Sequence, residues 1–283
     1  MQLNTVESQH SYPAATTRQE ITRDLVKSCG RTLQILEYFS DLRRDATICE
    51  ISRALGYPQS STAALLHTLV RMGYMSFNRL ARTYKPAGSL AFLGSWVDDR
   101  LAHRAPIEGL MEAVAERTRD MVLLGMRNSL YVKYVHVIQP ADEPERHCAN
   151  GTMRPLVNSG AAPALLCGLA DAEIKRIAVR SNASGIALSP TTPGELVERV
   201  NAFRRNGYDM THTPVSGIDM LTIALPGRQI DGPLALGIGG PTDELNDGLV
   251  DLLMFLQAAV FEHLGVGIRF GTFGAAAVER RVA

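Results

Sequence analysis

The clearest alternation of apolar and polar positions runs from Thr47 to Lys85. Thr47 and Glu50, three residues apart, form a capping-box signature, and Ile48, Ile51 and Leu55 then share one helical face. Gly56 allows a sharp turn, and Pro58 suits the first turn of a second helix. At about 100° per residue, Thr62, Leu65, Leu66, Leu69 and Met72 fall on one side of that helix. Ser60, Ala64, His67 and Arg71 fall on the other. An apolar face opposite a hydrogen-bonding one suits a helix that enters the DNA major groove. Gly73 ends the helix. Residues 74–78 and 83–86 read as short strands, with Arg79, Arg82 and Lys85 at or beside their tip. The pattern predicts a winged helix-turn-helix, with Gln59, Ser60, Ser61, Ala64, His67 and Arg71 on the groove helix. Arg79, Arg82 and Lys85 on the wing would meet phosphates. A structural αα-hairpin with a solvated charged turn gives a similar pattern.

Around this stretch the period changes several times. Residues 1–20 are polar and aperiodic, a disordered leader. Leu25 to Phe39 predicts a helix with Leu33, Leu36 and Phe39 on one face, completing a DNA-binding domain over 21–87. Residues 88–101 predict a linker helix. Its apolar positions Leu90, Leu93 and Trp96 have little domain around them, which points to a contact between subunits. A helix over 106–119 precedes strands at 121–126 and 130–138, joined by Arg127-Asn128-Ser129. Helices follow over 159–169, 171–179 and 192–205, the last closed by Gly207 in the left-handed conformation. Strands at 221–225 and 234–238 lead into one long helix over 243–264, ended by Gly265. A Gly/Ala-rich, loosely held tail covers 266–283. The second domain, 102–265, is thus α/β, and the chain as a whole is α+β.

The 283 residues carry no net charge, so an affinity for nucleic acid shows only locally. Between Lys27 and Pro86 nine basic residues face four acidic ones, and the rest of the chain carries the compensating negative charge. Such asymmetry marks one half that meets phosphate and one that does not. Cys29, Cys49, Cys148 and Cys167 lack C-x-x-C spacing and read as reduced thiols of a cytoplasmic protein. There is no signal-peptide pattern, and Asp251 interrupts the most apolar helix, so no membrane span is expected. His147 and Cys148 have no third ligand at metal spacing. The glycines of 237–240 lack a dinucleotide fingerprint. No nucleophile elbow or acid–base set is present. The sequence therefore predicts no catalytic residues, no metal and no cofactor. A small-molecule-processing enzyme is the alternative class. A ligand-independent DNA-binding protein is a third, disfavoured by the size of the second domain.

Four stretches occur in an informative order: VKSCGRTLQILEYF, EISRALGYPQSSTAALLHTLVRMGY, RPLVNSGAAPALL, and IALP followed by LGIGGP. Together they resemble the IclR-type bacterial transcriptional regulators, over roughly Lys27 to Leu264. The resemblance implies a winged helix-turn-helix, a linker helix and a GAF-like α/β sensor domain. It implies as partners double-stranded DNA with a pseudo-palindromic operator, a small-molecule effector (a small organic acid or an aromatic catabolite), and a second copy of the chain, as homodimer or dimer of dimers. The effector residues it implies are Ser159, Gly160 and Ala161, with Gly237 and Gly239 on the last strand and Met220 or Thr222 on the strand before. Arg154, just upstream of the motif, could add a charge-assisted bond if it points inward. There are departures. Ala64 stands where the family usually has arginine, and Ala162-Pro163 where it has Gly-Lys. Gly237 and Gly239 replace the serines of keto-acid binders, which implies a wider, less polar wall and a bulkier effector. Ser159 is read as opening a helix whose free N–H groups suit a carboxylate. The alternative is an ordinary capped helix with Arg154 in solvent.

Overall fold

A computed structural model describes residues 26–90, 104–140, 148–213, 217–225 and 233–271. They form two compact units, one with elements up to residue 90 and one with elements from residue 104. The leader, the linker positions Leu93 and Trp96, and His147 lie outside the described residues.

The first unit comprises α1 (Lys27–Leu42), β1 (Ala46–Thr47), α2 (Ile48–Leu55), α3 (Gln59–Arg71), β2 (Met75–Asn78) and β3 (Thr83–Pro86). The capping box closes as expected. Thr47 Oγ1 accepts from the Glu50 N–H at 3.3 Å, and the Glu50 carboxylate accepts from the Thr47 N–H at 2.8 Å. Donation to that carboxylate from the Thr47 N–H and from Thr47 Oγ1, the latter at 3.0 Å, with a smaller contribution from Arg44, holds the Glu50 carboxyl down to about 2. Gly56, at φ 69°, ends α2, and Pro58 immediately precedes α3. The core gathers Ile35, Phe39, Ala46, Ile51, Leu66, Leu69, Met75 and Tyr84. Two expected core positions are corrected. Leu33 is 57% exposed, and Ile35, one turn before Phe39, takes the inward place. Met72 is 61% exposed because α3 stops at Arg71 and Met72 is already its cap. In the sheet β3 is central, antiparallel to β1 and β2. Two-residue β1 is too short to leave a period in the sequence.

The second unit begins with α4 (Arg104–Thr118), β4 (Met121–Asn128), β5 (Tyr131–Ile138), β6 (Met153–Pro155) and a 3-10 turn, Leu156–Asn158. It continues with α5 (Ala162–Leu166), α6 (Asp171–Ala183), α7 (Pro193–Asn206), β7 (Tyr208–His212), β8 (Ile218–Leu225), β9 (Leu234–Pro241), α8 (Thr242–Asp247) and α9 (Leu249–Leu264). The six strands form one antiparallel sheet in the order β6-β5-β4-β9-β8-β7. Both faces of the central strands are covered, which is why β4, β5, β8 and β9 read as largely apolar runs. Met121, Leu123, Val132, Tyr134, Met220 and Ala235 pack on one side with Leu165, Ile174, Leu196 and Phe203 of α5, α6 and α7. Val122, Leu124, Leu221, Ile223, Leu236 and Ile238 pack on the other with Leu110 and Val114 of α4 and Leu253 and Leu256 of α9.

Four expectations change here. The β4–β5 turn falls at Ser129-Leu130, with Ser129 at φ 56°, rather than over 127–129. The C-terminal helix is two helices, parted at Gly248. Strands β6 and β7 carry polar residues at a sheet edge and showed no apolar run. The first residues after Gly265 are held down: Gly271 N–H bonds to Asn206 O at 2.9 Å, and Phe270 packs edge-on against Tyr208. Among the described residues no helix is long and apolar enough to cross a membrane.

Candidate functional site

Gln59, Ser60, Ala64, His67 and Arg71 are all exposed along α3, opposite buried Thr62, Leu66 and Leu69. The polar stripe therefore leaves the domain as one surface. Two members are engaged within the protein. Gln59 Nε2 donates to Cys49 Sγ at 3.1 Å, and its second N–H remains available. Ser61 is half-buried and accepts from Arg31 Nη1 at 3.1 Å, so it is not a bare position on the stripe. In the wing, Phe77 and Tyr84 pair across β2 and β3 with ring centroids 4.7 Å apart. Asn78 Oδ1 accepts from the N–H groups of Leu80 and Ala81 at 3.0 and 3.2 Å, and fixes the tip. Arg79, Arg82 and Lys85 are exposed on it. Arg82 takes φ 53°, a left-handed conformation unusual for a side chain of this kind.

The residues expected to bind an effector, Arg154 apart, lie together on the sheet face covered by α5, α6 and α7. A Cβ on Gly160 would stand 3.2 Å from the Met220 sulfur, and one on Gly237 would stand 3.3 Å from the same atom. Met220 thus fills the space that two glycines leave. Thr222 lies opposite Gly237 in the β8–β9 register, on the same face, with Asp209 on its other side. It is fully buried, and its Oγ1 has no hydrogen-bond partner. Asp209 is itself held by Arg199 at 2.6 Å. Gly239 is one rung further on, over Met121.

The motif around Ser159 differs from expectation. Ser159 is extended, and α5 starts only at Ala162 and spans five residues. Ser159 Oγ accepts from the Ala161 N–H at 3.1 Å, and Ser159 O accepts from the Ala162 N–H at 3.2 Å. A proline at the start of a short, wholly buried helix, packed under α7, explains the late start. Two of the amides at this helix start, which was expected to offer free N–H groups to a carboxylate, are therefore already bonded. Asn158, just before the motif, holds a loop: it donates to Ser189 O and accepts from the Leu188 N–H. Arg154 pairs with Val132 on edge strand β6, three strands from Gly237. At about 4.8 Å per strand that is roughly 14 Å sideways. The structure does not bring it into the glycine–methionine cluster. Gly125 was missed by the sequence reading: a Cβ there would stand 3.0 Å from Val132 Cγ2 and 3.8 Å from Ala161 Cβ, so its bare side makes room for Val132 of β5 and lies in ordinary contact range of the Ser159 motif. A glycine inside an apolar strand was the available signal.

A family model for the IclR helix-turn-helix domain matches residues 28–78, and one for the bacterial transcriptional regulator IclR C-terminal domain matches residues 99–259. The chain belongs to the IclR family. It is a DNA-binding transcriptional regulator with a C-terminal effector domain, in a family of regulators and not of enzymes. One curated relative is the HTH-type transcriptional regulator XynR of Escherichia coli K12, 24% identical over 62% of this chain and 68% of that one. The IclR regulator of Alicyclobacillus acidocaldarius shares the fold at TM-score 0.55 and 21% identity, over 84% of this chain and 97% of that one. An IclR homolog from Microbacterium hydrocarbonoxydans, solved in complex with 4-hydroxybenzoate, does so at TM-score 0.56 and 17% identity, over 84% and 98%. Within the IclR frame, the α3 stripe and the wing fall in the first domain match or just beyond its end, and the cluster around Met220 falls in the second.

Proposed function

We propose that this protein is a cytoplasmic regulator that binds a pseudo-palindromic operator as a homodimer or dimer of dimers, and that its second unit senses a small aromatic or other organic acid. The observation that carries the ligand assignment is the buried, unpartnered Thr222 hydroxyl beside Gly237 and the Met220 thioether. A buried hydroxyl without a partner is costly, and a ligand acceptor would relieve it. Methionine is adaptable and makes favourable contacts with aromatic rings, so a ring can displace or cover Met220. The bound 4-hydroxybenzoate of the Microbacterium relative supports the same chemical class. In this reading Ser159, Gly160, Ala161, Met220, Thr222 and Gly237 surround the ligand, and Gly239 lies at its margin. Arg154 reaches a ligand only if that ligand extends toward β6. A thermal-shift series with 4-hydroxybenzoate, benzoate, pyruvate and glyoxylate tests this. A ligand at about a hundred times its Kd stabilises the native state by about 2.7 kcal/mol. An aromatic acid should raise the melting point most. A best response to pyruvate or glyoxylate, or none to any acid, would overturn the assignment.

On the DNA side, Gln59, Ser60, Ala64, His67 and Arg71 read or border the groove, and Arg79, Arg82 and Lys85 neutralise phosphates. Ser61 belongs to this surface through Arg31. Arg82→Ala is expected to weaken binding to specific and random duplexes about equally and to flatten the salt dependence by about one unit. Unchanged affinity and slope would remove the wing from the interface. Gln59→Ala should cost on the order of 1–3 kcal/mol at one base pair of each half-site, since a glutamine amide pairs with adenine through two bonds. Selection of binding sites from a random pool checks it: an unaltered profile would take Gln59 out of the reading set.

A further inference from the structure

Arg31 stands apart from the other cations of the first unit. It lies on α1, outside the predicted groove surface, yet its guanidinium reaches the entry of α3. Its Cζ sits 4.8 Å from the centroid of the Tyr57 ring, in the turn before α3. Its Nη1 donates to Ser61 Oγ, on the first turn of α3, at 3.1 Å. Among the described residues no carboxylate pairs with it. A guanidinium has five N–H donors, and this geometry uses one, so most remain for another acceptor. The cation over the ring face gains an electrostatic attraction from the ring quadrupole, which together with the Ser61 bond favours this position of the guanidinium. Lys27, one helical turn earlier on α1, is exposed and extends the positive charge.

We propose that Arg31 is a phosphate-binding residue, held by Tyr57 and Ser61 so that its free N–H groups meet the DNA backbone at the entry of α3. The inference rests on α3 being the groove helix. α3 has 13 residues, about 20 Å at 1.5 Å per residue, and the wing follows its far end. Arg31 and the wing cations then place positive charge at both ends of a helix that crosses a groove about 12 Å wide. Two-ended phosphate contact fixes the register in which the α3 stripe meets the bases. Ser61 gains a defined role as well, because its hydroxyl orients Arg31 rather than reading a base.

The test uses the full-length protein and a fluorescently labelled random-sequence duplex between about 50 and 200 mM KCl. Arg31→Gln keeps a donor for Ser61 but removes the charge. Its salt slope should fall by about 0.9, so its affinity deficit relative to the unaltered protein should narrow roughly 3.5-fold across that range. Arg31→Lys should keep the slope. If Arg31→Gln fails to fold, Tyr57→Leu asks the same question with the charge in place: loss of the platform should lower affinity for the random duplex about threefold or more. An unaltered slope in a folded Arg31→Gln protein overturns the proposal, even if sequence preference relaxes. So does full affinity in Tyr57→Leu. An unaltered protein that binds the duplex without salt dependence would instead overturn the reading of α3 itself, on which Arg31 depends.

Discussion

Thr222→Val should raise the stability of the ligand-free protein and weaken its response to an acid. The two side chains have nearly the same shape, and both suit a strand. Thr222 is fully buried and its hydroxyl makes no hydrogen bond, so valine removes a desolvated dipole without opening a cavity. An unsatisfied buried polar group costs about 1–3 kcal/mol, and the substitution should recover a gain of that order in thermal or denaturant unfolding. With ligand present the sign reverses. A bond from a neutral donor to a charged acceptor contributes about 1.5–3 kcal/mol, so calorimetric affinity should fall by roughly one to two orders of magnitude. A residue that stabilises the protein when removed and weakens ligand binding when removed has a functional reason to be there. Destabilisation by valine would mean that the hydroxyl serves the fold.

Gly160→Val is the second large effect, and it acts on the ligand alone. The first added carbon would lie 3.2 Å from the Met220 sulfur and 3.5 Å from two of its carbons. Two further methyl groups must then share the space that Met220 already fills. The methionine can rotate away, so the fold survives at a cost of about 1–3 kcal/mol for overpacking. Space for a ring does not survive. The ligand-induced rise in melting point should vanish. DNA affinity of the ligand-free protein should stay within about twofold, because Gly160 belongs to the second compact unit and the α3 stripe and the wing to the first. A normal ligand response in Gly160→Val would place the ligand elsewhere.

Much of the first unit was legible in the sequence because local signals dominate there. The capping box at Thr47 and Glu50, the turn at Gly56 and the wing each depend on residues close in the chain, and periodicity identifies them. Leu33 failed for the opposite reason. Several apolar residues stand within one turn of α1, and which faces inward is decided by Ile51 and Leu66 on other helices. The proposed sensor site could be read from the sequence as a set of candidate residues but not as a shape. RPLVNSG pointed to Ser159 and Gly160, but no period shows that Pro163 delays α5 or that Ser159 takes up two amides. Met220 and Thr222 stood as alternatives while the strand register was open. The register puts both on one face of β8 with different roles, since Met220 fills the glycine gap and Thr222 offers a hydroxyl. Arg154 shows the limit of nearness in sequence, since five residues upstream of Ser159 it lies on an edge strand away from the cluster. Arg31 was counted only as charge, because its link to Ser61 spans thirty positions and carries no local pattern.

Acid binding on the second unit should change DNA binding by the first. The direct measurement is anisotropy of the full-length protein on a duplex obtained by site selection, with and without the acid that gives the largest thermal shift. A coupling of about 1–3 kcal/mol changes DNA affinity roughly 5- to 150-fold. Because the coupling is reciprocal, saturating DNA must change affinity for the acid by the same factor. That pair of equal shifts is the expected result. DNA affinity that stays the same at saturating acid would contradict a regulator of this kind.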